Sequence, residues 1–531
     1  MVQGDTAGWE SVTEIYNCAG AYRFGMRPEE ARRANVDSVR AIVALAARAP
    51  RLRRLVHVSG YRVGGQDPAS VPWSDEHRRR TYSALGAYEA SKVEADAVLQ
   101  AEADALGVPW TIVNPSTVIG DSTTGESDQY LGLASSVRDV WQGTLAALPG
   151  TSATFVPVVT ADHFARFTAL LPSDASTERA SYWVLDDRTP ALPDLLALVA
   201  RHYGAKPPRA RVPAPLLKLL PRRLTKADPE TLTFLSSDRY PTAPAVEFAA
   251  RHGLAMPDTA DSVLRWADHL AAHRFGEAPA GERWFTRLGG VRTFQIGEAE
   301  ASTVLLPGLP VNADTWAPVS EAVGARVVDL PGLGMSGGGP GDWPKWSSAL
   351  VAEAGARHLV GHSIGAAAAV EAAAAHPDPV DRITLVAPFF LQAPAPPSAG
   401  WKPLVRRYLR NVDAGALAQR LTGDAAHAEV LEASVADLRR GDVAGTAARL
   451  LAESAEPGRR AELQGALARY PGKVHVIVGS DDPLTVEAMA LLDGLPQADV
   501  SVIAGAGHHP QLTHPMETAH AIAGGAPDRV A

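Results

Sequence analysis

The sequence predicts an α/β protein with two domains, and three observations lead to this prediction. The chain has 531 residues, more than one hydrophobic core usually supports. In both halves, short apolar runs alternate with stretches of helical periodicity, a pattern typical of parallel sheets with helices on both faces. A small, polar, proline-containing segment at residues 276–283 separates the two series of runs and predicts a linker.

The composition excludes several function classes. Hydrophobic residues make up 46% and charged residues 21%, the net charge is -9, and basic clusters are short, so nucleic-acid binding has no electrostatic support. The single cysteine, Cys18, excludes an internal disulfide and a thiolate zinc cluster. No apolar run approaches the ~20 residues that span a bilayer, and the N-terminus does not resemble a signal peptide. We therefore expect a cytoplasmic protein without a metal site, and leave its oligomeric state open.

Three apolar runs in the first domain, residues 1–275, predict buried strands that end in small or polar residues. These runs are EIYNCAG, RLVHVSG and WTIVNPSTVIG. Helical spacing between them predicts helices over Ala31–Ala49 and Ala90–Leu106. From Pro208 onward, prolines interrupt the helical pattern.

The same alternation resumes in the second domain, residues 284–531. Two apolar runs flank Gly289-Gly290 and predict a hairpin. Six later runs predict successive strands: STVLL, ARVVDL, RHLVGHS, RITLVAP, KVHVIVG and DVSVIAG. Residues 392–470 are rich in alanine and contain no clear strand, which predicts an inserted helical cap.

A serine between two glycines, in the stretch VGHSIGAAAA, is the strongest chemical signal in the second domain. The segment Gly361–Gly365 fits G-x-S-x-G, with Ser363 at its centre. A nucleophile on a sharp strand-to-helix turn needs a strained backbone and neighbours without Cβ atoms. The following helix directs its positive N-terminal end toward the serine and any oxyanion beside it. We expect His362 to be a packed neighbour of this turn.

A hydroxyl needs a base, and the sequence offers candidates for the base and for the acid that orients it. His508 follows the small residues Gly505–Gly507, which allow a loop to turn back toward the serine, and His509 is its competitor. Asp482 follows the preceding strand, and Asp481 is the alternative. The order Ser, Asp, His predicts a catalytic triad of Ser363, Asp482 and His508.

These motifs together resemble the α/β-hydrolase family with a helical cap, from about Trp284 to the C-terminus. LLPGLPVNADTW resembles the family's oxyanion loop, although Pro307 stands where a histidine is usual. VVDLPGLGMSG resembles its D-x-x-G-x-G-x-S segment. The resemblance implies that the backbone N–H groups of Leu309 and Ile364 bind the oxyanion.

The resemblance also implies acyl transfer to water without a cofactor. Ser363 would attack a carbonyl while His508 accepts its proton and Asp482 fixes the imidazole. Esters, thioesters and activated C–C bonds remain open as substrates. The apolar composition of the cap favours a small-molecule substrate with an apolar acyl or alkyl group.

Tyr88 and Lys92 carry the signal in the first domain. They lie four residues apart on a predicted helix, where an ammonium beside a phenol makes the phenol a better general acid. Ile15 to about Phe275 resembles the extended short-chain dehydrogenases/reductases. The resemblance implies NAD(P), with Tyr88 protonating the substrate oxygen, Lys92 holding the ribose, and the stretch from Pro115 to Val118 lining the nicotinamide.

Two departures from that family predict impaired hydride transfer. No glycine-rich turn precedes Ile15, so we expect the first nucleotide-binding unit to be missing, through a late start or degeneration. Gly60 stands where the family has a serine or threonine, and alternation along a strand would turn Ser59 to the opposite face.

The predicted fold class is therefore an incomplete Rossmann-like, doubly wound parallel sheet followed by an α/β-hydrolase sheet with an inserted helical cap. Three functional hypotheses follow: a serine hydrolase with an impaired reductase-like domain, a bifunctional NAD(P)-dependent oxidoreductase and hydrolase, or a non-catalytic scaffold.

Overall fold

The computed structural model describes residues 9–21, 25–213, 216, 234–392, 401–483 and 498–524. Two compact units divide the chain, with the main division between Ala271 and Ala272. Residues 214–215 and 217–233 of the proline-interrupted stretch after Pro208, and residues 393–400 of the predicted cap, lie outside the described residues. None of the described helices is both long and apolar enough to cross a membrane.

The first unit is built on a parallel sheet. Its four described strands run in the order β1-β2-β3-β7 and are all parallel, which confirms the predicted fold class. The strands of this unit are β1 Glu14–Asn17, β2 Arg54–Val58, β3 Trp110–Pro115, β4 Thr117–Ile119, β5 Leu148–Pro149, β6 Val158–Thr160, β7 Ala180–Val184 and β8 Arg211–Val212. The helices are α1 Pro28–Arg32, α2 Ser38–Ala46, α3 Asp75–Leu85, α4 Ala87–Ala105, α5 Leu133–Gln142, α6 Ala161–Leu170, α7 Leu192–His202, α8 Ala243–Arg251 and α9 Thr259–Ala272.

Alternate residues of the central strands enter separate apolar clusters on the two faces of this sheet. Leu55 and Ile112 belong to one cluster, whereas their neighbours Val56 and Val113 belong to another. Side chains alternate along a strand, so both faces of the sheet are covered, as parallel sheets require. This explains why these strands are continuous apolar runs in the sequence.

One predicted helix differs from its regular pattern. Ala31–Ala49 contains a π-helical stretch, Arg33–Asp37, between α1 and α2. Within it, the buried Asn35 side chain accepts the N–H of Ala21 at 3.0 Å and donates to Ser91 at 2.9 Å. The wider π-turn directs this amide to two partners, a local effect that apolar periodicity does not reveal.

The second unit contains an eight-stranded sheet in the order β16-β15-β14-β13-β11-β12-β10-β9. The pairs β9/β10 and β10/β12 are antiparallel and the remaining pairs are parallel. Its strands are β9 Arg283–Leu288, β10 Val291–Gly297, β11 Thr303–Leu306, β12 Arg326–Val328, β13 His358–His362, β14 Arg382–Val386, β15 Lys473–Gly479 and β16 Ala498–Ile503. Gly289 and Gly290 connect β9 to β10 with φ of 57° and 90°, which suits a type I′ hairpin turn.

Helices flank this sheet and fill the stretch between β14 and β15. The flanking helices are α10 Ala317–Val323, α11 Trp343–Ala352, α12 Ile364–Ala375, α18 Pro510–Thr513 and α19 Pro515–Ala523. The described part of residues 392–470 contains the helices α13 Lys402–Asn411, α14 Ala414–Thr422, α15 Ala428–Arg439, α16 Val443–Ser454 and α17 Pro457–Arg469. We call this helical insertion the cap.

Candidate active site

Ser363 lies on the sharp turn between β13 and α12. Its backbone has φ of 52° and ψ of -109°, a conformation that is costly for a residue with a Cβ atom. The turn is held by the Ser363 N–H, which donates to the Val386 carbonyl at 2.9 Å. The strained backbone places the hydroxyl at the carboxyl end of the central strands, next to the start of a helix.

The two glycines of the serine motif are required by close backbone contacts. A Cβ atom at Gly361 would collide with the carbonyl oxygen of Gly365. A Cβ atom at Gly365 would collide with the carbonyl oxygen of Leu306, on the neighbouring strand β11. The glycines therefore let the turn fold tightly and let α12 approach the sheet.

The structure brings together the three residues predicted as a triad. His508 Nε2 lies 3.2 Å from Ser363 Oγ, and His508 Nδ1 lies 3.0 Å from an oxygen of Asp482. A carboxylate can only accept hydrogen bonds, so Nδ1 carries the proton and Nε2 accepts the serine hydroxyl. Asp482 is only 2% exposed.

Gln392, at the end of the segment that follows β14, is a polar partner that the sequence analysis missed. Its amide nitrogen donates to Asp482 at 2.7 Å. This bond satisfies a second acceptor position of the buried carboxylate without neutralising its charge. The residues are 90 positions apart, and no local pattern in the sequence indicates the contact.

The competing residues occupy other positions. The Asp481 side chain accepts a hydrogen bond from Ser480 at 2.8 Å and is exposed. His509 is buried, and burial holds the pKa of its imidazole well below the usual range. Burial likewise lowers the pKa of His362 to about 3. Its Nε2 donates to the His508 backbone carbonyl at 2.9 Å, so His362 is a packed neighbour that also holds the loop carrying His508.

The predicted oxyanion loop packs directly on the serine turn. A Cβ atom at Gly308 would lie 2.8 Å from Ser363 Cβ and 2.5 Å from His362 Nδ1. Only a glycine lets the backbone come this close. Leu309, the next residue, and Ile364, at the start of α12, are the predicted donors, and both are buried. The loop therefore lies beside the serine, where an oxyanion would form.

A buried aspartate supports the far end of this loop. The two carboxylate oxygens of Asp329 accept the N–H groups of Ala313 and Met335, each at 2.8 Å. A Cβ atom at Gly334 would collide with this carboxylate, and Ser336 donates to the Asp329 carbonyl at 2.8 Å. Burial is the main cause that raises the pKa of Asp329 to about 7. These contacts explain the D-x-x-G-x-G-x-S pattern as a structural motif.

The residues predicted for the first domain also lie together. Tyr88, Lys92, Pro115 and Val118 line one cavity of about 270 Å³. Ser59 and Gly60 line it as well, and β2 ends one residue earlier, at Val58. Strand alternation therefore does not determine the direction of Ser59.

Buried titratable groups lie beneath this cavity. Burial lowers the pKa of Lys92, and it raises the pKa of Asp96, four residues along α4, to about 7. His57 is fully buried, its pKa is lowered to about 3 mainly by burial and also by Lys92, and its Nδ1 lies 3.0 Å from the Asn17 amide. The sequence analysis missed Asp96, although its spacing from Lys92 indicates a shared helix face.

The cavity fits part of the cofactor that the resemblance implies. The buried hydroxyl of Ser116 lines it and has no hydrogen-bond partner among the described residues, so it is available to a polar ligand. Together with Tyr88 and Lys92, it offers groups of the kind expected around a nicotinamide and its ribose. The described residues provide no glycine-rich turn for a pyrophosphate.

Comparisons with known proteins match each unit to a different family. Residues 6–168 match the NAD-binding family described as male sterility protein, and residues 303–521 match the alpha/beta hydrolase family. N-formylmaleamate deformylase of Pseudomonas putida is 35% identical over 99 residues, which cover 16% of this chain. The match spans 36% of the length of that curated relative.

Solved structures resemble each half separately. The N-formylmaleamic acid deformylase of Pseudomonas putida S16 is 22% identical with a TM-score of 0.37, and the match covers 45% of this chain and 99% of that one. The terminal R domain of the myxalamid PKS-NRPS pathway is 20% identical with a TM-score of 0.40, and the match covers 51% and 71%. The two family models therefore match separate parts of the chain, an NAD-binding family in the first unit and the alpha/beta hydrolase family in the second.

Proposed function

We propose that the protein is a serine hydrolase that cleaves an ester or thioester bond of a small molecule, with Ser363, His508 and Asp482 as its catalytic triad. The observation that carries this proposal is the continuous row of hydrogen bonds from Asp482 through His508 to Ser363, at 3.0 and 3.2 Å. A serine nucleophile, a base and an orienting acid in that geometry are what acyl transfer requires.

The reaction proceeds in two steps. Ser363 Oγ attacks the substrate carbonyl and passes its proton to His508 Nε2, which then protonates the leaving alcohol or thiol. Water attacks the acyl-enzyme with His508 as the base, which releases the acid and restores the serine. Asp482 keeps the proton on Nδ1 and stabilises the imidazolium in both steps.

The oxyanion is stabilised by backbone groups and by the helix end. The N–H groups of Leu309 and Ile364 are the donors, and each such donor lowers the barrier by about 3 kcal/mol. The N-terminal end of α12 adds a partial positive charge at the same position. Alanine, leucine and valine side chains of the cap are buried in the hydrophobic core of this unit, and this apolar composition favours a substrate with an apolar acyl or alkyl group.

A panel of chromogenic esters of increasing acyl length tests this proposal. We expect the wild type to hydrolyse them with a preference for apolar chains, and Ser363→Ala to reduce the rate to the uncatalysed background. Equal rates for the wild type and Ser363→Ala would refute the triad.

A second activity, NAD(P)-dependent carbonyl reduction, is favoured by the cavity that Tyr88 and Lys92 share. In this candidate function, Tyr88 donates the proton to the carbonyl oxygen and Lys92 holds the ribose. NADPH supplies the hydride when it is bound. A rise in melting temperature with NADPH, absent with ATP, supports this function, and a flat response argues against it.

A further inference from the structure

A buried cluster of charged and polar side chains lies behind the oxyanion loop. It joins two arginines from the segment around the predicted linker, two residues of the loop and two residues of the cap helix α15. We call it the Arg274 cluster, and its members are Arg274, Arg283, Asn312, Asp314, Ser434 and Asp437.

Arg274 bridges the cap and the loop. Its guanidinium donates to Asp437 of α15 at 3.0 Å and to Asp314 of the loop at 3.1 Å. Arg283 donates to the other oxygen of Asp314 at 2.6 Å. The side chains of Arg274 and Asp437 are only 13% and 3% exposed. Two arginines face two aspartates, so the buried charges balance.

Asn312 is the link between this cluster and the oxyanion loop. Its amide nitrogen donates to Asp437 at 2.7 Å and lies 3.3 Å from Asp314, and its amide oxygen accepts the hydroxyl of Ser434 at 2.8 Å. Both ends of the amide therefore have partners, and both cap partners come from α15. Asn312 lies three residues after Leu309, so the cap fixes the backbone that carries the predicted oxyanion donor.

The backbone at Arg274 is strained. Arg274 and Phe275 have φ of 48° and 56°, consecutive positive values that are costly for residues other than glycine. Strain of this kind persists only where surrounding contacts determine the conformation. Here, the contacts of the guanidinium with the two buried carboxylates hold it.

We infer that Asn312, Asp437 and Arg274 are positioning residues that set the oxyanion loop against the cap helix, so that the cap and the segment preceding the linker determine how well the site stabilises its transition state. This inference rests on the proposed function. The Asn312 amide bonds to Asp437 and Ser434 of the cap rather than to the triad, so it acts through the loop.

Two variants of the full chain test the inference. Asn312→Ala removes the amide that ties the loop to the cap. Asp437→Asn keeps the size of the side chain and removes the charge opposite Arg274, and it carries the test should Asn312→Ala fail to fold. Gln419→Ala is the control, because Gln419 is an exposed cap residue whose side-chain amide donates to Gly423 at the end of its own helix.

The readout is the rate per active site. A fluorophosphonate titrates the reactive Ser363, and the kcat and KM for a chromogenic ester are then expressed per titrated site. We expect both test variants to lower kcat and the phosphonylation rate by about 10- to 100-fold, since a misplacement of 1 Å at a reacting centre can cost about 100-fold. We expect KM to change less than threefold, because an interaction made only in the transition state affects kcat and not the binding of the ground-state substrate. Gln419→Ala behaves like the wild type.

Different failures identify which claim is wrong. A wild type that is not labelled at Ser363 refutes the proposed function and the inference with it. If the wild type is labelled, the inference alone is refuted by variants that keep wild-type rates per titrated site. Such variants would show only a lower melting temperature or a smaller titratable fraction. That result would reduce the Arg274 cluster to a stabilising contact.

Discussion

The two candidate sites differ in how their polar groups are satisfied. In the hydrolase unit, Ser363, His508 and Asp482 bond to one another and to Gln392. In the reductase-like unit, Tyr88 and Lys92 line a cavity in which the Ser116 hydroxyl has no hydrogen-bond partner among the described residues.

This difference follows from what each kind of site needs. A nucleophile and its base must meet each other, so a hydrolase site assembles its machinery from its own side chains. A site that acts through a bound cofactor leaves polar groups for that ligand to satisfy. The triad residues of the first site therefore find their partners among side chains of the protein. The second site also has Gly60 at a position where the family resemblance implies a hydroxyl. The predictions below test this contrast, from the largest effect to the smallest.

The largest expected effect on ester hydrolysis comes from comparing His508 of the first site with Tyr88 of the second. His508→Ala removes the base that activates Ser363, and we expect ester hydrolysis to fall by about 10⁵- to 10⁶-fold. Tyr88→Phe, which changes only the other site, leaves hydrolysis unchanged. Rates measured on one ester for both variants check this, and a loss of hydrolysis in Tyr88→Phe would show that the two sites are not independent.

The orienting acid gives the next largest effect. Asp482→Asn keeps the shape of the side chain but favours the wrong imidazole tautomer, so we expect kcat to fall by about 10⁴-fold. Asp481→Asn is the matched control, because the carboxylate of Asp481 lies next to Asp482 in the chain but is exposed and accepts a hydrogen bond from Ser480. A larger loss in Asp481→Asn than in Asp482→Asn would reverse the assignment of the acid.

Gly60→Ser places a hydroxyl at the position where the resemblance to short-chain dehydrogenases/reductases implies a serine or threonine. A Cβ atom at Gly60 meets only Val63 Cγ2, at 3.5 Å, so the added side chain fits without strain. We expect NADPH-dependent reduction of an aldehyde panel to rise by about 100-fold, the effect of one well-placed donor. Background rates in both proteins would show that the cavity lacks more than this hydroxyl, and would leave the hydrolase unit as the only site with chemistry.

The smallest expected effect concerns stability and pH. Burial raises the pKa of Asp96 to about 7 from an ordinary value of 3.8. The unfolded chain therefore loses this proton at a lower pH than the folded protein does. The contribution of Asp96 to the free energy of unfolding is fully present below the pKa of Asp96 in the unfolded chain. It is lost as pH rises toward about 7, the pKa in the folded protein.

Asp96→Asn removes this dependence because an amide does not titrate, and its oxygen can accept the hydrogen bonds that one carboxylate oxygen accepts from Gln66 and Gln100. We expect the variant to melt about 3 °C above the wild type at pH 8 and at the same temperature at pH 4, since ~1 kcal/mol corresponds to 2–4 °C in a domain of this size. Asp67→Asn, at an exposed helix cap, serves as the control. A pH-independent difference would exclude Asp96 as its source.

The hydrogen-bonded row of Asp482, His508 and Ser363 was predictable from the sequence because each member has a local signal. Ser363 lies between two glycines, and Asp482 and His508 follow apolar runs that form strands β15 and β16. Parallel strands bring their carboxyl ends to one edge, so residues far apart in the chain meet there. The geometry agrees with the prediction of which side chains lie together.

The supporting contacts were not predictable in this way. Arg274 and Asp437 are 163 positions apart in the chain, and Gln392 and Asp482 are 90 positions apart. Neither contact is marked by periodicity or by a motif, because each depends on how the cap packs on the sheet. The end of strand β2 is another feature that the sequence did not reveal. Because β2 ends at Val58, one residue before Ser59, strand alternation does not apply to Ser59.

The most direct test of the central claim is covalent labelling of the full-length protein with a fluorophosphonate, followed by mass spectrometry of its peptides. The hydrogen-bonded row predicts one adduct, on Ser363, that forms at least ~1000-fold more slowly in His508→Ala, because the serine hydroxyl then lacks its base. An unlabelled Ser363 in folded protein, or labelling that is equally fast without His508, would contradict the proposed triad.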